Sequence, residues 1–220
     1  MSESKQYVWY ASYGSNLNKN RFLCYIKGGS PAGSTRVETG CKDQSLPIAE
    51  SSLKFNYPLY FAKEAAGWQS QGVAFIGLNQ VEDSHTYSKK YLITSEQFLD
   101  VVKQENSGKI FEIDLNEVKE KGAKIFRRHA WYGNIIYLGE DRGYPIFTFT
   151  APWEQAEVEM KKPSHNYLAT IINGLKTDYT NEEIFYYLQN KPGILGFYSD
   201  EELTRVINGP EFYKHKTFLK

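Results

Sequence analysis

Three places in this chain carry side chains that could hold or transform a small ligand. The first is Tyr13-Gly14-Ser15-Asn16-Leu17, at the junction between an apolar strand and a helix. A helix N-terminus leaves backbone N–H groups unpaired and carries a partial positive charge. Gly14 lets a ligand approach the backbone closely, and Ser15 and Asn16 add short polar groups. The combination suits a carboxylate or a developing oxyanion. The same features also describe an ordinary capped strand–turn–helix junction. The second place is Glu105. Phe98, Val101, Val102 and Glu105 fall at i, i+3, i+4 and i+7, one face of a helix. A carboxylate closing that stripe sheds part of its hydration, which raises its pKa toward the range useful for proton transfer. The plain alternative is a last-turn glutamate curled into solvent. The third is Tyr167, at a helix start, where an aromatic serves either a site or the core.

Other chemistries find little support. His85, His129, His165 and His215 show no HxH or HExxH spacing, so no metal site is expected. Ser15 lacks the G-x-S-x-G context of a nucleophile elbow. Cys24 reads as a small core residue and Cys41 as part of a long loop, with no disulfide framework and no CxxC pair. Lys plus Arg and Asp plus Glu each count 26, so no global footprint for nucleic acid exists. Arg127-Arg128-His129 is short and reads as a solvated strand edge. No apolar run approaches the ~20 residues of a membrane-spanning helix, and no signal peptide is visible. A cytoplasmic location is expected, with a homo-oligomer left open. With 41 % hydrophobic and 24 % charged residues, the 220-residue chain reads as an ordinary globular protein.

The elements that must position these residues follow from pattern. Residues 7–13 form a buried strand ended by a glycine, and 17–27 a helix capped by Ser15 or Asn16 and stopped at Gly28-Gly29. Residues 29–52 are a long loop rich in Gly, Ser, Pro and Thr, expected near the pocket mouth as a lid. Strands are expected at 53–62, at 71–79 (apolar on both faces and so central), at 91–93, near 109–114 and 124–138, and at 144–150. Thr94 and Gln97 open a helix as a capping box, and Gly108 ends it. Pro163-Ser164 precedes a helix at about 165–174. Thr180 with Glu183 and Ser199 with Glu202 open two more, near 181–190 and 200–208. This order predicts an α+β domain on a small, mixed, barrel-like β-sheet with flanking helices.

A strand ending in Y-G-S-N-L near the N-terminus resembles the γ-glutamylcyclotransferase-like family, which includes the AIG2-like proteins. Trp68–Leu78 (WQSQGVAFIGL) is similar to a family strand. Tyr91–Glu105 is similar to the segment leading into the family's catalytic glutamate, and Pro163-Ser164-His165-Asn166-Tyr167 to a late helix start. Around Glu105 the sequence departs from the family's L-D-x-x-E-G, with Val102 in place of the acid and Asn106 in place of the glycine. The resemblance covers about residues 7–176. It implies the γ-glutamylcyclotransferase-like fold over 1–176, followed by a C-terminal helical extension, 177–220, packed on it. It also implies an enzyme that cyclises a γ-glutamyl compound to 5-oxoproline and releases an amine or amino acid, without cofactor or metal. Glu105 would be its general acid/base, and Tyr13, Gly14, Ser15, Asn16, Leu17 and Tyr167 would bind the substrate. The alternative is a non-catalytic small-ligand-binding or regulatory protein on the same fold; a weaker one is a structural partner protein using the C-terminal helices as an interface.

Overall fold

The computed structural model describes residues 5–31 and 37–209. Parts of the 29–52 loop and of the 177–220 extension therefore lie outside the described residues. Strand β1 (Tyr7–Ser12) occupies an interior position of a six-stranded sheet. Its alternate side chains enter opposite faces, as strand geometry requires. Trp9 and Ala11 join one core cluster, and Val8 and Tyr10 join another. With apolar residues on both faces, β1 has to be covered on both sides.

The other strands of this sheet are β2 (Ala49–Phe55), β5 (Thr86–Thr94), β6 (Ala123–Ile125), β7 (Asn134–Asp141) and β8 (Tyr144–Thr150). Their order is β2-β5-β1-β8-β7-β6. The β1–β8 pair is parallel, with Trp9 opposite Ile146, and the other pairs are antiparallel. Strands β3 (Leu59–Ala65) and β4 (Gln71–Ile76) make a separate antiparallel ribbon. One face of the large sheet packs on helices α1 (Lys19–Lys27), α2 (Ser95–Glu105) and α3 (Leu115–Lys121). The other face packs on the β3–β4 ribbon and helices α4 (His165–Leu175), α5 (Asn181–Leu188) and α6 (Asp200–Asn208). The architecture is thus α+β, a mixed six-stranded sheet with a two-stranded ribbon and six helices among the described residues.

Several expected elements differ. The strand expected at 53–62 is two strands, because Pro58 cannot donate to a ladder and the chain turns at 56–58. Strand β4 is not central. Among the named strands it pairs only with β3, and its buried side chains join the one core that holds α4, α5 and α6. The polar stretch before Tyr91 belongs to β5. Lys89 and Lys90 lie buried there, with Lys89 paired to Asp178 at 3.2 Å and Lys90 to Asp141 at 2.8 Å. Residues 109–114 form no strand; they lead to α3, whose N-cap Asp114 accepts from Asn116 N. Helix α1 is capped by Asn18, not by Ser15 or Asn16, which fall in a one-turn 3₁₀ helix at Ser15–Leu17. The capping boxes of α2, α5 and α6 form as expected.

Candidate active site

The loop after β1 is built as a rigid shelf. Leu17 N donates to Gly14 O at 3.0 Å and Asn18 N to Ser15 O at 3.1 Å. Tyr91 Oη, from β5, donates to Asn16 O at 3.0 Å. Asn16 Nδ2 donates to Tyr10 Oη at 3.2 Å, while its Oδ1 is buried with no partner among the described residues. Tyr13 Oη donates to Phe149 O at 2.8 Å. From beneath, Gly174 of α4 presses its bare Cα against the backbone of Leu17 and Asn18; a Cβ there would overlap both. The Leu17 side chain lies in the core at 2 % exposure and does not line the cavity above.

That cavity measures about 410 Å³. Tyr13, Gly14, Ser15 and Asn16 line it from the β1 loop, Glu105 from the end of α2, and Tyr167 from the first turn of α4. Glu105 sits some ninety positions beyond the loop, yet the sheet brings the C-terminal turn of α2 to the same end as β1. Glu105 is half-buried. Next to it, Asn106 closes α2, its Nδ2 donating to Val102 O at 2.9 Å and to Tyr132 O at 3.1 Å. Where the resembled pattern has a glycine, this amide ties the last turn of α2 to the cavity wall.

Tyr167 Oη accepts from Ala74 N at 3.0 Å and lies 3.1 Å from where a Gly14 Cβ would stand. A Cβ at position 14 would therefore crowd that hydroxyl and push it back by a few tenths of an ångström. Burial holds the hydroxyls of Tyr10, Tyr13, Tyr132 and Tyr167 well above the usual phenol range, and the Glu105 charge adds to this for Tyr10, Tyr132 and Tyr167. They remain neutral hydrogen-bonding groups across the physiological range.

Several residues of the cavity carried no site expectation. Arg21, only 6 % exposed, meets Glu38 at 3.0 Å, donates to Tyr25 Oη at 3.1 Å and lies between the rings of Tyr25 and Trp68, 5.0 and 5.9 Å from their centroids. Trp68 in turn stands edge-on to Tyr167 at 4.7 Å. A cation in the first turn of a helix opposes the helix dipole. Lys19 in the same turn shares that misfit yet pairs with Glu50 at the surface, so the sequence does not single out Arg21. Glu38 comes from the 29–52 segment, which is clamped further along: Gly40 N donates to Gln104 Oε1 at 3.1 Å and Gln97 Nε2 to Asp43 O at 2.9 Å. Lys109, Arg127 and His129 line the open end. Arg127–His129 is not a strand edge but part of the loop between β6 and β7. Among the described residues, no group of three or more His, Cys, Asp or Glu side chains is placed to hold a metal ion, and no helix is long and apolar enough to cross a membrane.

Fold and site together define an α+β protein with an aromatic-walled cavity, a carboxylate at its wall and a strand–helix turn at its floor. No family model matches the chain. It is 36 % identical over 185 residues to histone deacetylase 5 of Arabidopsis thaliana; the match takes in 76 % of this chain and spans 28 % of that protein's length. Among solved structures, an uncharacterized protein from Homo sapiens shares the fold, with a TM-score of 0.50 at 15 % identity over 93 % of this chain and all of that one. A gamma-glutamyl cyclotransferase follows at TM-score 0.48 and 14 % identity, covering 92 % of this chain and 99 % of that one. A yeast gamma-glutamyl cyclotransferase specific to glutathione gives 0.36 and 13 %, covering 96 % and 98 %.

Proposed function

We propose that this chain is a γ-glutamylcyclotransferase-like enzyme, cyclising a γ-glutamyl amide to 5-oxoproline. The observation that carries the reading is the meeting of Glu105 with the Tyr13–Asn16 turn in one 410 Å³ cavity. Nothing in local sequence forces them together. In the reaction the substrate's own α-amine attacks its side-chain carbonyl, so positioning supplies much of the rate. Glu105 takes the proton from the α-ammonium and returns one to the departing amine. The Asn16 N–H of the Ser15–Leu17 turn and the Ser15 hydroxyl are offered to the glutamyl carboxylate or the tetrahedral oxygen. Tyr167, fixed by Ala74 N–H, offers its hydroxyl to the substrate. The domain boundary near residue 176, the cytoplasmic location and the absence of a cofactor belong to the same proposal.

A second reading is favoured by the Arabidopsis relative, in which the shared segment is 28 % of a longer chain. On that reading the fold serves as a non-catalytic ligand-binding or regulatory module. Incubation with a panel of γ-glutamyl compounds separates the two. Release of 5-oxoproline supports the enzyme; saturable binding without release supports the module.

A further inference from the structure

The cavity has two chemically different ends. At the closed end Tyr10, Tyr13, Asn16 and Tyr167 are each at most 5 % exposed. At the open end stand Lys109, Arg127 and His129. Among the described residues none of these three is ion-paired. Nearby lysines of α3 and β6 behave differently: Lys119 is paired with Glu140, and Lys121 and Lys124 with Glu117. Arg127 is held half-buried, its guanidinium 5.5 Å from the centre of the Phe111 ring. Glu105 is the single carboxylate among the described lining residues, and Arg21 is already matched by Glu38. Among the described residues the mouth therefore carries two permanent positive charges that make no ion pair, while Glu105, further in, faces the place the proposed reaction gives to the substrate's α-ammonium. Such a cleft concentrates anions.

From this we infer that the mouth is a subsite for a leaving group bearing two carboxylates, so that the preferred substrate is an acidic γ-glutamyl dipeptide. The inference rests on the proposed cyclisation: with the glutamyl half at the closed end and its amide beside Glu105, whatever follows the amide nitrogen must extend toward Lys109 and Arg127. An acidic amino acid presents an α-carboxylate and a side-chain carboxylate, one for each permanent cation. A volume of about 410 Å³ lies in the range of small-ligand pockets, ~300–1,000 Å³. The step balances without a co-reactant. The α-nitrogen bonds to the side-chain carbonyl carbon and the isopeptide C–N bond breaks. The α-ammonium gives up two protons in becoming the lactam N–H, and Glu105 relays them to the departing nitrogen, which leaves as the ammonium of the acidic amino acid beside 5-oxoproline.

The test compares γ-glutamylglutamate with γ-glutamylglutamine, which share a shape and differ in one charge. KM for the glutamate compound should be roughly 3- to 10-fold lower at low salt, the scale of one partly exposed charge pair. The gap should narrow with added salt, and Arg127→Gln should abolish it. Equal KM values, a preference for glutamine, or discrimination that survives Arg127→Gln would overturn the inference. If neither compound yields 5-oxoproline, the cyclisation reading fails on its own. Calorimetric binding of the two then judges the subsite: tighter, salt-sensitive binding of γ-glutamylglutamate supports it, and equal or undetectable binding overturns it.

Discussion

Replacing Gly174 by alanine isolates the shelf on which the site is built. In an exposed helix interior this change gains roughly 1 kcal/mol from helix propensity. Here an added Cβ would fall on the Leu17 carbonyl carbon and 2.6 Å from both Leu17 O and Asn18 N. These are backbone atoms, held by the bonds that fix the Ser15–Leu17 turn and by Tyr91 Oη. They cannot swing aside as a flexible side chain would. Restoring ordinary contact needs a shift of roughly 1 Å between α4 and the turn, and overpacking of this kind costs about 1–3 kcal/mol. Net of propensity the variant should lose up to about 2 kcal/mol, a fall in Tm of up to roughly 8 °C at this chain length. A displacement of ~1 Å in a positioning element can also cost on the order of 100-fold in rate. Thermal melting and 5-oxoproline release, measured on the same preparation, check both parts. A variant that melts higher than wild type with unchanged turnover would refute the close packing of Gly174 under the loop.

Further outcomes follow from other contacts. Glu38→Gln removes the anion facing buried Arg21 and should cost roughly 3 kcal/mol in urea unfolding, the scale for breaking a buried pair; Glu140→Gln, at the exposed Lys119 pair, should leave the urea midpoint nearly unchanged. Burial lowers Lys191 to about 8. The unfolded chain then binds the extra proton between pH 8 and about 10.5, so this group's contribution to stability rises with pH across that window. NMR of the lysine side chains should show one resonance titrating near pH 8 that disappears in Lys191→Arg. Residues 177–220 expressed alone should stay unfolded, because Ile184, Leu188, Leu203 and Ile207 are buried in a core shared with β1, β3 and β4; cooperative melting of the fragment would contradict this.

Much of the fold was legible where a local rule acts alone. The alternation of β1, the capping boxes at Thr94, Thr180 and Ser199, and the turn after Ser12 all depend on residues close in sequence. The misses share a cause. The strand at 91–93 was read too short because the counterions that let Lys89 and Lys90 be buried in it, Asp178 and Asp141, lie some fifty to ninety positions away. Strand β4 read as central because burial on both faces looks the same whether it comes from neighbouring strands or from helices and the opposing sheet. Segment 115–121 was too short for a clear periodic stripe. At the site, the turn and Glu105 stood out through resemblance, whereas chemistry alone left both readings open. Arg21, Lys109 and Arg127 were missed because a cation's partners, or its lack of them, are set by tertiary neighbours.

The account turns on Glu105 as the proton carrier of the cavity, and Glu105→Gln tests it most directly. The amide keeps the size and hydrogen-bonding reach of the carboxylate but cannot accept the α-ammonium proton. With a γ-glutamyl substrate that the wild-type protein converts, 5-oxoproline release should fall by roughly two to four orders of magnitude, while the melting temperature stays within a few degrees. Wild-type turnover in the Glu105→Gln protein would contradict the account.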